Sequence, residues 1–376
     1  MKAKLIHKFL SLALIVAMVF AIMPVQAQGA VNIQSGPGTV KAGLSAAAPP
    51  FTAVGFAGKQ WDVIGYNGTG VYSAANTITL LLKNGQSVGA DGQFNGSTVD
   101  NKYNGSGLQA AMDNAFAAIT DARENGFVLP RTLGWTTNYG QTGYNDDGIG
   151  GVTLSNVAFW PLSVAEANQV NSEVRKSNST YWWLRTPGSI DTCEAYVDHA
   201  GSVWPEGFAV GTVAAYRPAF RLNAADVLFT SDAVGGKSDA TGILSSAAAP
   251  TGVIKLTVND ANTASLNLTV IDKSARTLKS GQTLSVAYTG AVTGTGKYVS
   301  CVITGADGSV KYYSKLKDLS GGSAAPEGTA SITLPADMPE GAYTLRLFNE
   351  EINGDNITDF ASAPQDIPLT VGRPPV

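Results

Sequence analysis

The chain has 376 residues, of which 44% are hydrophobic and only 14% charged, and its net charge is −4. With no basic stripe in the sequence, nucleic acid is excluded as the expected partner. The apolar fraction is too high for disorder. Gly, Ser, Thr, Asn and Ala replace charge, as in turn-rich, all-β extracellular proteins.

Residues 1–27 have the form of a secretory signal. Lys2, Lys4 and Lys8 make a positive start. Phe9 to Ile22 is an apolar run of about fourteen residues, short of the ~20 needed to span a membrane. Val25-Gln26-Ala27 offers small residues where a signal peptidase cuts, so cleavage is expected after Ala27. No Cys follows the apolar run, so a lipoprotein is not expected, and no membrane insertion is expected after cleavage. The C-terminal residues show no apolar tail or sortase motif. These features predict a secreted or cell-surface protein.

Residues 28–50 are rich in Gly, Ala, Ser and Pro and are expected to form a flexible leader. The roughly 350 residues left after cleavage exceed the usual size of one domain, so two are expected. The first, over 51–229, opens with a strand pattern from Lys59 to Tyr66. Asn67-Gly68 predicts a hairpin turn, and Thr77 to Leu82 a return strand. Ser106 to Thr120 predicts a helix capped by Ser106, with Leu108, Met112, Phe116 and Ile119 on one face. Ser163-Val164-Ala165-Glu166 has capping-box form and predicts a second helix. From Tyr181 the pattern turns to β. Glu194–Asp198 alternates, His199-Ala200-Gly201 reads as a turn, Ser202-Val203-Trp204 begins the return, and Val213 to Leu222 reads as a last strand crossing Pro218.

The sequences Tyr181-Trp182-Trp183-Leu184-Arg185-Thr186-Pro187-Gly188 and Tyr216-Arg217-Pro218-Ala219-Phe220-Arg221-Leu222 resemble an uncharacterised domain of Firmicutes and their phages. Its signature reads roughly WWLRSPG…VRPAL. The segment around Ser163 resembles that family's FLLS-x-x-E. The resemblance covers about residues 58–223. It implies an α+β fold of the C-type-lectin-like kind, related to formylglycine-generating enzymes and phage receptor-binding proteins. It also implies scaffold roles for Arg185 and Arg217, while Trp182 and Trp183 point to opposite sides of a strand and are both expected to be mostly buried. Where proteins of this kind bind, the corresponding C-terminal part of the fold displays the contact residues.

Residues 230–250 contain Gly235-Gly236 and Ala247-Ala248-Ala249-Pro250 and are expected to be a linker. Beyond them, short β runs recur: Val253–Val258, Leu266–Ile271, Thr283–Tyr288, Tyr298–Ile303, Val310–Tyr313, Ala330–Leu334, Tyr343–Phe348 and Ile367–Val371. Such spacing predicts an all-β, immunoglobulin-like sandwich over 251–376.

Catalytic chemistry is sparse. After cleavage His199 is the one histidine left, which excludes multi-histidine zinc sites. Cys193 and Cys301 are far apart and are read as unpaired. A lone Cys193 cannot supply the copper-binding cysteine pair of formylglycine-generating enzymes. Tyr144-Asn145-Asp146-Asp147-Gly148-Ile149-Gly150-Gly151 is rich in carboxylates, yet it lacks the alternating ligands and distal Glu of an EF-hand. No cofactor or metal is therefore expected, and no catalytic residue is assigned. The residues left for recognition are Tyr196, Asp198, His199, Trp204, Glu206 and Phe208, aromatics and carboxylates on a hairpin. The expected function is non-enzymatic recognition of an extracellular glycan or protein. Two alternatives stay open. One is a structural part of an envelope or phage-like assembly. The other is a hydrolase of extracellular polymer using Asp146, Asp147 or Glu206.

Overall fold

The computed structural model describes residues 31–36, 53–83, 92–96, 100–133, 153–177, 180–261 and 263–372. The signal segment 1–27, the glycine loop Tyr144–Gly151 and most of the leader lie outside these residues.

Local readings of cap and alternation carry over closely. The first helix runs Gly107–Ala117, and the Ser106 side chain accepts from the Gln109 amide at 3.1 Å. The second expected helix runs Val164–Gln169. There Ser163 Oγ and the Glu166 carboxylate each accept from the other residue's backbone N–H at 3.1 Å, closing the capping box. Asn67 and Gly68 take φ of 47° and 84°, the left-handed geometry of the tight turn their dipeptide predicts. The strand pattern crossing Pro218 resolves into two strands, Val213–Ala214 and Ala219–Asn223. Proline has no N–H to give a ladder, so pairing lapses there.

The tertiary arrangement differs from the expectation. Among the described residues 46% are strand and 10% helix, with four α-helices. It is therefore not an α+β C-type-lectin-like domain followed by an independent immunoglobulin-like sandwich. One long sheet runs through both halves. In order it contains Arg276–Leu278, Gln365–Val371, Gly341–Glu351, Lys297–Gly305, Val310–Asp318, Ser245–Ala248, Val31–Ser35, Val227–Asp232, Val253–Asn259, Ala53–Phe56, Lys59–Tyr66, Thr77–Leu82, Ala219–Asn223 and Val128–Leu129. The physical reason lies in backbone pairing. Val227–Asp232 hydrogen-bonds to Val253–Asn259 on one side and to Val31–Ser35 on the other. Part of the expected leader and both ends of the expected linker are thus strands of this sheet.

The pairing also closes on itself. Asp359–Ala361 pairs with both Val253–Asn259 and Gly341–Glu351. From Gly341–Glu351 the ladder passes through Lys297–Gly305, Val310–Asp318, Ser245–Ala248, Val31–Ser35 and Val227–Asp232 back to Val253–Asn259. Phe229, Val302, Tyr313, Phe348 and Ala361, from five strands of this ring, form one buried cluster. Closing a sheet removes its edges.

Two larger cores flank the ring. In the C-terminal part, a small sheet of Thr269–Val270, Thr283–Thr289 and Gly328–Thr333 lays Leu284, Val286, Tyr288, Ala330 and Ile332 against Val299, Cys301, Ile303, Leu345 and Leu347. The strand Lys297–Gly305 is consequently buried on both faces, Cys301 toward this core and Val302 toward the ring. That placement explains its unbroken run of buried residues from Val299 to Thr304. Cys193 and Cys301 are free thiols, and burial pushes the Cys301 thiol up. In the N-terminal part, Trp61, Phe159, Phe220 and Phe56 pack ring to ring at 4.6–5.6 Å.

Candidate aromatic recognition site

A separate three-stranded antiparallel sheet, Trp182–Pro187, Cys193–Val197 and Val203–Ala209, carries the residues singled out in the sequence. Its first strand is buried throughout. Trp182 donates to the Arg175 carbonyl at 3.0 Å and lies under the Arg217 guanidinium at 4.9 Å. Trp183 donates to the Gly92 carbonyl at 3.1 Å and meets Phe94 edge-on. Arg217 donates to the carbonyls of Leu82, Arg175 and Val174 at 2.9–3.1 Å. Arg185 donates to the Pro161 carbonyl and to Glu166, which Arg131 also grips from 2.7 Å. Burial opposes charge on Glu166, but the Arg185 and Arg131 guanidiniums outweigh it and hold the carboxyl at about 2. These four signature residues anchor the sheet from beneath.

The other two strands carry the aromatics. Tyr196 pairs in register with Trp204. Phe208, Tyr196 and Trp204 lie with their rings nearly parallel: Tyr196 is 4.0 Å from Phe208 at 9°, and 6.2 Å from Trp204 at 4°. Tyr181 stands edge-on to Tyr196, Phe208 and His199 at 5.3–6.1 Å. Trp204 is 47% exposed and Tyr181 37%. Phe208 is half-buried, while His199 and Glu206 are exposed. Tyr196, expected among the contact residues, is buried at 5%. It supports the exposed rings from below. Both flanking strands bulge opposite Ala195, so the register shifts on each side of the middle strand there.

Asp198 fixes the tip. Its carboxylate accepts from the Ala200 and Ser202 amides and, at 3.0 Å, from Trp204 Nε1. Slight burial works against the charge, but these donors outweigh it and hold the carboxyl below its ordinary value. The turn has no room for a side chain at Gly201, where a Cβ would sit 2.3 Å from the Ser172 carbonyl oxygen. Arg175 Nε donates to the Gly201 carbonyl at 2.8 Å, bracing the hairpin against the helix Ser172–Arg175. Trp204 is therefore exposed yet held in one orientation.

Sequence reasoning passed over Tyr181 as a surface residue. Its place one position before the buried Trp pair, where the strand emerges, was the available signal. It also passed over Glu194 on the middle strand. Glu194 is fully buried, and neither carboxyl oxygen has a hydrogen-bond partner. Burial pushes its carboxyl well above the ordinary range. The Tyr144–Gly151 loop, with Asp146 and Asp147, lies outside the described residues. Among the described residues no group of three or more His, Cys, Asp or Glu is placed to hold a metal ion, and no helix is long and apolar enough to cross a membrane.

No family model matches the chain, and no curated protein or solved structure matches it.

Proposed function

We propose that the chain is an exported, non-enzymatic binding protein of the cell surface or its surroundings, and that Trp204, Tyr181 and Phe208 form its contact face for an extracellular glycan. The observation that carries this reading is the parallel Phe208–Tyr196–Trp204 array, with its outermost ring exposed and pinned by Asp198. Flat, apolar and rigid, such a ring stacks on the apolar face of a sugar with little loss of side-chain entropy. Asp198 already accepts three internal donors, so it orients the tryptophan and is not placed as a catalytic acid. Glu206 is the exposed polar partner beside the rings.

The test is a glycan array probed with the full secreted chain, followed by titration of the best soluble oligosaccharide into wild type and Trp204→Ala. Loss of a true anchor costs about 2 kcal/mol or more, on the order of 30-fold in Kd. Unchanged affinity in a folded Trp204→Ala protein rejects this face. Binding to surface proteins with no glycan captured would move the reading to a protein partner.

A further inference from the structure

The closed strand ring carries four charged groups that the recognition site does not use. Lys237, in the turn after Val227–Asp232, sends its ammonium into the ring. Its Nζ lies 2.7 Å from Asp359 Oδ2, 2.6 Å from Glu350 Oε1 and 2.9 Å from Thr257 Oγ1. Asp359 and Glu350 have no exposure, and the Lys237 side chain is 6% exposed. Phe229 and Tyr313 flank the amine, their ring centroids 5.0 and 6.0 Å away. The Tyr313 hydroxyl donates to Glu350 Oε2 at 2.7 Å. On the far side of the same aspartate, Oδ1 accepts from the Asn353 amide at 2.7 Å and lies 2.7 Å from Lys255 Nζ.

We propose that Lys237 and Asp359 condense spontaneously into an intramolecular amide, a covalent cross-link that ties the turn after Val227–Asp232 to the strand Asp359–Ala361. An amine and a carboxyl group held in contact react as one molecule, which removes much of the entropic barrier to a sluggish bimolecular step. The surroundings supply the rest. In the unlinked pair, burial disfavours charge on Lys237, yet Asp359 and Glu350 outweigh it and raise the amine above its ordinary value. The reaction therefore starts from the ammonium–carboxylate pair. Apolar surroundings lower the cost of moving a proton across that short contact to give neutral amine and neutral acid. Lys237 Nζ then shifts from Oδ2 to the Asp359 carboxyl carbon and forms the C–N bond. Negative charge develops on Oδ1, where the Asn353 N–H and the Lys255 ammonium already point. Glu350 takes a proton from the attacking nitrogen and returns it to Oδ2.

The balance closes without any co-reactant. Of the three ammonium protons, one stays on the amide nitrogen and two leave with Oδ2 as water. Glu350 ends unchanged, and no oxidant or reductant is needed. Lys237, Lys255 and Asp359 line a cleft of about 200 Å³ through which that water can leave. The linked residues are 122 positions apart, so the bond would tie together most of the C-terminal half of the chain. A bond of this kind withstands reducing conditions, in a chain whose two thiols stay free.

The experiment is peptide mapping by mass spectrometry on the folded full chain, with Lys237→Arg and Glu350→Gln alongside. In wild type the expected result is a branched tryptic peptide containing Lys237 and Asp359, lighter by one water than the sum of its parts. Lys237→Arg keeps the charge but cannot form this bond, so both linear peptides return. Glu350→Gln keeps the shape but removes the proton carrier, so a folded variant, checked by its cooperative melt, is expected to lose most of the branched species. Linear peptides with free Lys237 in folded wild type overturn the proposal, as does a branch that maps to Lys255. Full linkage in a folded Glu350→Gln protein overturns the role given to Glu350.

Discussion

Glu166 and Glu194 are both buried carboxyls in the part of the chain that carries the aromatic sheet, and they are held in opposite ways. Glu166 sits at a helix start between two guanidiniums, and its partners hold it at about 2. Glu194 sits in the middle strand of the sheet with no hydrogen-bond partner for either oxygen, and burial alone raises it well above the ordinary range. Burial has the same sign at both places, so the partners decide the outcome. One site is an ion cluster that holds a strand to a helix. The other is a buried acid with no partner, whose charge burial opposes.

The pH behaviour separates them. Glu166 is depressed, so the stability it contributes is present above the ordinary glutamate value of 4.5 and is lost as pH falls toward about 2. Glu194 is raised, so its contribution is complete below 4.5 and is lost as pH rises through its elevated folded value. The largest expected effect comes from breaking the first site. Glu166→Gln leaves Arg185 and Arg131 buried without their counter-charge, and removing one partner of a buried pair costs about 3–5 kcal/mol. Urea unfolding at neutral pH measures this loss. A midpoint equal to wild type would mean that water or another group compensates the guanidiniums, and the clamp would not be what holds the strand.

A loss of similar size is expected at Trp183, two residues before Arg185 on the same strand. Trp183 has no exposure, and its truncation leaves a cavity against Phe94. Trp183→Ala is expected to cost about 3–5 kcal/mol. A normal melting temperature together with lost glycan binding would move Trp183 from the support to the contact face.

Particular residues show what local pattern could and could not convey. The strand Thr283–Thr289 alternates buried Leu284, Val286 and Tyr288 with more exposed small or polar residues, and it forms where its pattern places it. Ser163 and Glu166 announce their helix through side-chain chemistry that acts within three residues. The ring did not announce itself. Ser245-Ser246-Ala247-Ala248 has no large apolar residue to alternate, yet its backbone pairs with Tyr312 and Tyr313 on one side and with Val31 and Asn32 on the other. Small residues satisfy a ladder with their backbone alone, and composition reads them as linker. Lys237 was hidden for the same reason, since a lysine among glycines looks solvated until the chain folds it inward. In the aromatic sheet, the strand position of Trp204 and the turn position of Asp198 were legible from the hairpin pattern. The burial of Tyr196 was not, because it depends on the rings of Phe208, Trp204 and Tyr181 packing around it from other strands. The Trp and Arg signature fixes that hairpin and its supports, while the course of the long sheet depends on pairings far along the chain.

A smaller effect tests the second carboxyl. Glu194→Gln keeps the shape and removes the titrating group, although a buried amide still lacks partners. An unsatisfied buried group costs about 1–3 kcal/mol, and a charged one more. The variant is therefore expected to match or fall slightly below wild type in acid and to gain on it as pH rises. Thermal melts across the pH range measure the crossing. Parallel curves for the two proteins would show that the Glu194 carboxyl binds its proton equally well folded and unfolded, and the contrast with Glu166 would then fail.

The smallest effect on stability is expected at the surface, and it sharpens the division between support and contact within the aromatic sheet. Tyr196 and Trp204 are paired in register and stacked, but one is buried and the other half in solvent. Tyr196→Ala opens a hole beneath Phe208 and Tyr181 and is expected to cost on the order of 3 kcal/mol. Trp204→Ala gives up one aromatic contact and its bond to Asp198, at about 1 kcal/mol. Glycan affinity should show the reverse ranking per unit of stability lost: Trp204→Ala melts close to wild type and binds poorly. Trp204→Phe keeps a flat ring while removing the indole N–H, so it separates stacking from the orienting bond. Recovery of most of the affinity in Trp204→Phe assigns binding to the ring face. Failure to recover would assign it to the orientation that Asp198 imposes, because a phenyl ring without that anchor is free to turn away from the ligand.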